Sequence, residues 1–303
     1  MPPALITGAS GFLGRHLLAH LEGDWIAVGR RRPPWVEAKA YRECDLLDRA
    51  GLETLVLETA PAVVFHLAGR TPPGGAEVFY RSNTLATLHL LDALRAAARP
   101  CRVVLVGSAA ELGPVPGEAL PVGEDYPCSP DGPYGLSKWL MTCAGLAARP
   151  PLEVVVARVF NPIGPGLPAS QALGRFAAEL AGGAGPIRLE VGDLDARRDF
   201  VDARDVARAL IALANLGRAG RLYHVGTGRS RSIREGLDEL IRRSGREVTV
   251  DVVQALARPR GPSDSRADVG RIFEEAGWSA EISWEQSLDD LWADASGEPR
   301  SLS

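Results

Sequence analysis

Three glycines spaced GxxGxxG directly after a short apolar run constrain this chain more than any other feature. The run is Ala4–Thr7, and the glycines are Gly8, Gly11 and Gly14 within Thr7-Gly-Ala-Ser-Gly-Phe-Leu-Gly14. An amphipathic stretch, Gly14–Glu22, follows. Strand, glycine turn and helix in that order open a dinucleotide-binding βαβ unit. Gly8 allows the tight turn. Gly11 lets the backbone approach a pyrophosphate at the positive end of the helix, and Gly14 allows close packing of helix on strand. The spacing departs from GxGxxG, and glycine also marks ordinary turns, so it is the position between strand and helix that carries the reading.

The alternation continues. Trp25–Gly29, Ala62–Ala68, Arg102–Gly107 and Glu153–Phe160 are apolar runs bounded by turn residues, and Arg81–Ala98 and Pro133–Ala148 have helical spacing. Buried parallel strands joined by helices read this way. The expected fold class is α/β: a Rossmann-type doubly wound parallel sheet with a smaller C-terminal substrate-binding lobe. Asn161–Leu173 is rich in Gly and Pro and reads as a loop, with further breaks at Gly182–Gly185 and Gly192–Arg197. Asp202–Leu216 reads as a helix and Leu222–Val225 as a strand. The tail from Ser232 reads as two or three helices and a strand at Val248–Val253. The expected division assigns 1–165 and 200–227 to the dinucleotide-binding domain, and 166–199 and 228–303 to the substrate lobe.

The second strand ends in Gly29-Arg30-Arg31-Arg32, without an acid. An acid there would bond the adenosine ribose 2′-OH and repel a 2′-phosphate. A guanidinium recognises phosphate bidentately. NADP(H) is therefore favoured over NAD(H), with Arg30 the first contact and Arg31 the next. Composition tempers this, because the 34 Lys+Arg include only two lysines, Lys39 and Lys138. Arginine is the default cation here, and a solvated basic turn is the alternative. A net charge of −4 argues against nucleic-acid binding. No apolar run approaches the roughly 18 residues that span a bilayer, and the start does not read as a signal peptide. Cys44, Cys101, Cys128 and Cys143 are far apart with no metal-ligand spacing. They read as reduced thiols in a cytoplasmic protein with no metal site.

Tyr134-Gly-Leu-Ser-Lys138 places a phenol and an ammonium four residues apart, on one face of a helix. A nearby ammonium favours phenolate and lowers the phenol pKa, making Tyr134 a usable acid or base. Ser108 follows the strand Arg102–Gly107 at its C-terminal end, where parallel sheets put their active sites. Its hydroxyl can bond a substrate carbonyl, or it can serve as a simple turn residue.

With these residues in place the chain resembles the extended short-chain dehydrogenases/reductases, the nucleotide-sugar epimerase/dehydratase/reductase superfamily. The resemblance runs over nearly the whole length. It rests on Thr7-Gly8, Gly11-Phe12, Gly14, Cys44-Asp45-Leu46, His66–Gly69, Asn83, Ser108, Tyr134 with Lys138, Arg158, Asn161-Pro162, Arg198–Asp202 and Tyr223–Gly226. It implies that Gly8, Gly11, Phe12, Leu13 and Gly14 cradle the cofactor and that Asp45 and Leu46 contact the adenine. Leu67, Ala68 and Gly69 would line the cofactor towards the nicotinamide, with Tyr134 and Lys138 also touching it. Asn83 would support the active-site helix, or serve only as a structural hydrogen-bonding residue. Ser108, Asn161, Arg198, Arg258 and Arg260 would meet the substrate, the arginines at its diphosphate.

Dehydratases of this family carry an acidic pair directly after the catalytic hydroxyl residue. Ala109 and Ala110 stand there, and Glu111 would point elsewhere in an extended segment. Many members continue with Tyr-Gly, where this chain has Leu112-Gly113. The segment from Gly192 to Asp202 is similar to that of GDP-mannose dehydratases and GDP-4-keto-6-deoxymannose reductases. The resemblance thus implies NADPH-dependent reduction of the C4 ketone of a nucleotide-linked 4-keto-6-deoxyhexose. An NAD-dependent nucleotide-sugar epimerase, a reductase of a non-sugar ketone and a non-enzymatic dinucleotide sensor are the alternatives. Relatives commonly pair as homodimers through the helices matching Arg81–Ala98 and Pro133–Ala148, and Leu85, Leu88, Leu140 and Met141 are the apolar candidates for that contact or for the sheet.

Overall fold

A computed structural model describes residues 2–183, 185–253 and 263–297. The first half runs β1 (Ala4–Thr7), α1 (Phe12–His20), β2 (Trp25–Gly29), β3 (Tyr41–Glu43), α2 (Arg49–Thr59), β4 (Val63–His66), α3 (Ala76–Phe79), α4 (Ala86–Ala96), β5 (Cys101–Ser108), α5 (Pro133–Leu146) and β6 (Leu152–Val159). It continues with β7 (Asn161–Ile163), α6 (Ala172–Ala181), β8 (Ile187–Val191), β9 (Arg197–Asp202), α7 (Ala203–Leu216) and β10 (Arg221–Val225). The last elements are β11 (Ser230–Ser232), α8 (Ile233–Ser244), β12 (Val248–Val252), α9 (Gly270–Ala276) and α10 (Trp284–Ser296).

Seven parallel strands form the main sheet in the order β10-β6-β5-β4-β1-β2-β3. The chain reverses direction across the sheet between β1 and β4, and such a switch point opens a ligand crevice at the strand C-termini. Side chains alternate across the sheet, as pleating requires. Val103 and Leu105 of β5 pack with Leu90 of α4 and Met141 of α5. Val104 and Val106 pack with Leu17 of α1 and Leu210 of α7. Fully burying one such side chain contributes about 1.5–3 kcal/mol. Both faces being covered explains why these strands read as unbroken apolar runs.

Two smaller sheets lie beyond. One has the order β11-β9-β7 and the other pairs β12 with β8. Leu173, Phe176, Leu189, Leu237 and Leu288 join α6, α8, α10 and β8 in a separate core cluster. The expected loop over 161–173 is therefore corrected at both ends. Its start is β7, paired in parallel with β9, and α6 begins at Ala172. The sequence Arg-Arg-Asp-Phe-Val-Asp of β9 hides a strand because its inward polar residue is satisfied from afar. The Asp199 carboxylate accepts from the amides of Thr227, Gly228 and Ala267 at 2.8–3.1 Å. The expected helix over 81–98 carries a π turn at Tyr80–Leu85. There the Thr87 hydroxyl donates to the Asn83 carbonyl at 2.6 Å.

Candidate active site

The glycine turn sits at the switch point. Gly8 has φ +76°, and a Cβ on it would stand 2.6 Å from the backbone of Leu67 and Ala68, just beyond β4. A Cβ on Gly14 would stand 2.2 Å from the Gly8 carbonyl oxygen. Both positions thus need glycine for close backbone approach. Gly11 is the N-cap of α1, and no side chain caps this helix. The first amides, at Phe12, Leu13 and Gly14, therefore remain available to an anion, as a pyrophosphate site needs. Beyond β2, Arg30 and Arg31 are exposed. Arg15 of α1 lies 5.5 Å over the Trp35 ring, a contact the sequence did not signal. Asp45 is exposed and its carboxylate accepts from the Leu47 amide at 3.0 Å, while Leu46 is buried. Leu67 and Ala68 are partly buried, and Gly69 is exposed.

Under this crevice runs a buried polar chain. The Ala68 amide donates to the Thr7 hydroxyl at 3.2 Å, and Thr7 bonds His66 Nδ1 at 2.7 Å. His66 Nε2 bonds the Thr87 hydroxyl at 2.8 Å. Thr87 donates onward to the Asn83 carbonyl, so the imidazole carries its proton on Nε2. Burial, aided by the Lys138 charge, holds the His66 pKa down to about 3. The fully buried Asn83 accepts from the Arg70 amide at 2.7 Å and donates to Ser137 at 2.9 Å. Its amide thus ties the loop after β4 to the helix that carries Tyr134 and Lys138.

Ser108 ends β5, and Tyr134 and Lys138 stand on α5, which starts with Pro133 at a position that tolerates a missing N–H. Burial pushes the Tyr134 phenol above the ordinary tyrosine range, Ser108 pulls it partly back, and the Glu111 charge pushes it up. Lys138 is buried, donates to the Val106 carbonyl at 2.5 Å, and is lowered to about 8 by desolvation against the opposing pull of Glu111. The net shift of the phenol is thus upward because burial outweighs the lowering contribution, and the Lys138 ammonium is engaged by the Val106 carbonyl.

The segment after Ser108 is not extended. Ala109–Glu111 form a 3₁₀ turn closed by a capping box, in which the Ser108 amide donates to Glu111 Oε1 at 2.7 Å. Glu111 is fully buried and pairs with Arg158 of β6 at 3.1 Å. Arg158 also bonds His224 Nε2 at 3.2 Å and Cys128 Sγ at 3.1 Å. Sequence reasoning missed this network, because a turn residue, a strand arginine and an edge-strand histidine share no local pattern. Leu112 is buried beside Val122 and Phe160, so the residue in place of the family's Tyr is core.

On the substrate side, Asn161 of β7 donates to the Asp199 carbonyl at 3.4 Å, and Arg198 of β9 donates to the Arg197 carbonyl at 2.7 Å. Both are partly buried. Arg258 and Arg260 lie outside the described residues. Leu85, Leu88 and Leu140 are exposed, whereas Met141 is buried against β5, so of the two expected roles it takes the sheet-facing one. Among the described residues no cluster could hold a metal ion, and no helix is long and apolar enough to cross a membrane.

The NAD dependent epimerase/dehydratase family model matches residues 4–226. The chain is 35% identical over 302 residues to GDP-6-deoxy-D-mannose reductase of Pseudomonas aeruginosa, covering 95% of each. It is similar to the structure of RMD from Pseudomonas aeruginosa complexed with NADPH, with TM-score 0.83 and 32% identity over 97% of this chain and 99% of the other. It is also similar to MoeE5 in complex with UDP-glucose and NAD, with TM-score 0.82 and 29% identity over 96% and 97%. With its glycine cradle at the switch point and its Ser-Tyr-Lys set beside it, the chain belongs to the NAD dependent epimerase/dehydratase family of extended short-chain dehydrogenases/reductases and is an NAD(P)-dependent enzyme.

Proposed function

We propose that this enzyme acts on a nucleotide sugar, reducing the C4 ketone of a nucleotide-linked 4-keto-6-deoxyhexose with NADPH. The observation that carries the reading is the engagement of Glu111, the carboxylate beside Ser108 and Tyr134, by Arg158 and the Ser108 amide. Dehydration needs a base for the C5 proton and an acid for the departing C6 hydroxyl. Ala109 and Ala110 supply neither. The exposed Arg30 and Arg31 suit a 2′-phosphate. Similarity to GDP-6-deoxy-D-mannose reductase and to an NADPH-bound structure supports the same reading.

Gly8, Gly11, Phe12, Leu13 and Gly14 would hold the cofactor pyrophosphate, Asp45 and Leu46 would border the adenine, and Leu67, Ala68 and Gly69 would border the nicotinamide side. Bound there, NADPH supplies a hydride to the carbonyl carbon. The Ser108 hydroxyl donates to the carbonyl oxygen, and Tyr134 gives that oxygen its phenolic proton as negative charge develops. The buried Lys138 ammonium stabilises the phenolate left behind. Asn83 acts by holding the loop and helix together. Asn161 and Arg198 would meet the nucleotide sugar. Residues 1–165 and 200–227 serve the cofactor, and 166–199 and 228–303 serve the substrate. The exposed Leu85, Leu88, Leu136 and Leu140 on the π turn, α4 and α5 fit a homodimer contact. Four free cysteines fit a cytoplasmic setting.

The test is mass spectrometry of the enzyme with NADPH and a panel of GDP-, dTDP- and UDP-4-keto-6-deoxy sugars. The expected product carries two more hydrogens. Tyr134→Phe loses turnover while NADPH binding stays within about threefold, since only a proton donor is removed. Conversion of an NDP-hexose without added reductant would replace this reading with an epimerase.

A further inference from the structure

We propose that Asp199 is a positioning residue for the nucleotide end of the substrate, its buried carboxylate fastening the turn after β10 and the segment at Ala267 onto β9. This role rests on the reading that the enzyme takes a nucleotide sugar.

Strand register sets the place. Ser108 of β5 lies opposite Val159 of β6, and Val159 lies opposite Val225 of β10. The three residues form one row at the C-terminal ends of the main sheet, where parallel sheets receive their ligands. β10 is two strands from β5, about 10 Å away. The Phe160 amide donates to the Val225 carbonyl at 3.0 Å, and the next residues on the two chain segments are Asn161 and Gly226. Asn161 opens β7, which pairs with β9 at Phe200. The small sheet thus begins where this row ends, and it carries Asn161 and Arg198, both expected at the nucleotide sugar.

Asp199 holds that corner together. Its carboxylate is fully buried. Oδ1 accepts the Thr227 amide at 2.8 Å and the Thr227 hydroxyl at 2.6 Å. Oδ2 accepts the Gly228 amide at 2.9 Å and the Ala267 amide at 3.1 Å. The backbone is shaped to admit it, since a Cβ on Gly226 would stand 2.7 Å from Oδ2 and 3.1 Å from the Ala267 Cβ. The main chain of Asp199 is engaged as well. Its amide donates to the Ser265 carbonyl at 2.8 Å, and its carbonyl accepts from Asn161 Nδ2 at 3.4 Å. One residue thus joins β7, β9, the turn after β10 and the segment 263–267, across as many as 68 positions of sequence.

An apolar side chain here would fill the space but leave three buried amides without acceptors. The carboxylate therefore sets positions rather than bulk. Displacing it moves Arg198, its neighbour in β9, and Asn161, whose side chain rests on its carbonyl. The glycine cradle follows β1, four strands away from β10, and keeps its own contacts.

The experiment measures Kd for GDP, UDP and dTDP, and separately for NADPH, by calorimetry in wild type and Asp199→Asn. The carboxamide keeps the shape, but its NH2 group faces a backbone amide on whichever side it takes. The nucleoside diphosphate that wild type binds best is expected to weaken by about tenfold or more, with NADPH within about threefold. For a 4-keto sugar that is turned over, KM should rise in step while kcat changes less, because the nucleotide is held alike in ground and transition states. A residue that only supports the fold would weaken both ligands alike. Parallel losses, or a nucleotide Kd within about threefold of wild type, therefore overturn the proposal. Should Asp199→Asn fail to fold, Thr227→Val removes one donor and leaves the three amides. A loss of about three- to tenfold for the nucleotide alone is then expected, and an unchanged nucleotide affinity overturns the proposal. A wild type that binds none of the three nucleotides overturns it too. One that binds a nucleoside diphosphate yet reduces no ketone of the panel refutes the reductase reading, while the role of Asp199 is still decided.

Discussion

Gly14→Ala tests the cradle most directly. The new methyl would stand 2.2 Å from the Gly8 carbonyl oxygen and 2.8 Å from Ala9 Cα. Ordinary contact lies more than about 3.4 Å away, so something must move by roughly 1 Å. The obstacles are backbone atoms, and the turn cannot retreat, because Gly8 already abuts the Leu67 and Ala68 backbone. Overpacking of this kind costs about 1–3 kcal/mol of stability. The larger effect falls on binding. Shifting the turn misaligns the Phe12 and Leu13 amides, and losing two charge-assisted hydrogen bonds costs about 3 kcal/mol or more. That is roughly a hundredfold in Kd. NADPH fluorescence titration measures it, with thermal unfolding in parallel. Gly117→Ala, where nothing lies within 4 Å of the added Cβ, is the neutral control. A Kd within threefold of wild type together with an unchanged Tm would refute both the rigidity of the turn and its place at the pyrophosphate.

Other expectations follow from single residues. Arg30→Ala should lower the ratio of kcat/KM for NADPH over NADH by about tenfold, as one charge-assisted contact is lost. A wild type with no NADPH preference defeats that assignment. Burial lowers the Lys138 ammonium to about 8. Its charge is present below that pH and lost above it, so kcat at saturating substrate should decline as pH rises through about 8. A flat profile to pH 10 contradicts it. Leu88→Glu/Leu140→Glu places charge on the exposed face of α4 and α5, and light scattering should then report half the wild-type mass with secondary structure intact. A monomeric wild type removes the basis for this expectation.

Much of the fold was legible because its signals are local. A strand buried on both faces is an unbroken apolar run, and residues four apart on a helix share a face. Six of the seven strands of the main sheet (all but β3), the glycine cradle, and the Tyr134–Lys138 pair on α5 all follow from such rules. The Arg-rich composition weakened the arginine assignments for a local reason too, since frequent residues carry little positional information.

What the tertiary structure alone decided is where distant chain segments meet. Leu140 and Met141 are neighbours of similar character, yet one is exposed and the other packs on β5. β9 looks like a charged loop until Thr227, Gly228 and Ala267 arrive to satisfy Asp199. Lys138 was legible as a cation on the right face, but its engagement by the Val106 carbonyl was not. Glu111 is the sharpest case. In the sequence it is a carboxylate in a turn, and in the fold Arg158, 47 residues later, makes it a buried anion behind Ser108. Periodicity and glycine spacing are short-range properties of the chain. The partner that fixes a buried charge is set by strand order, which only the folded sheet provides.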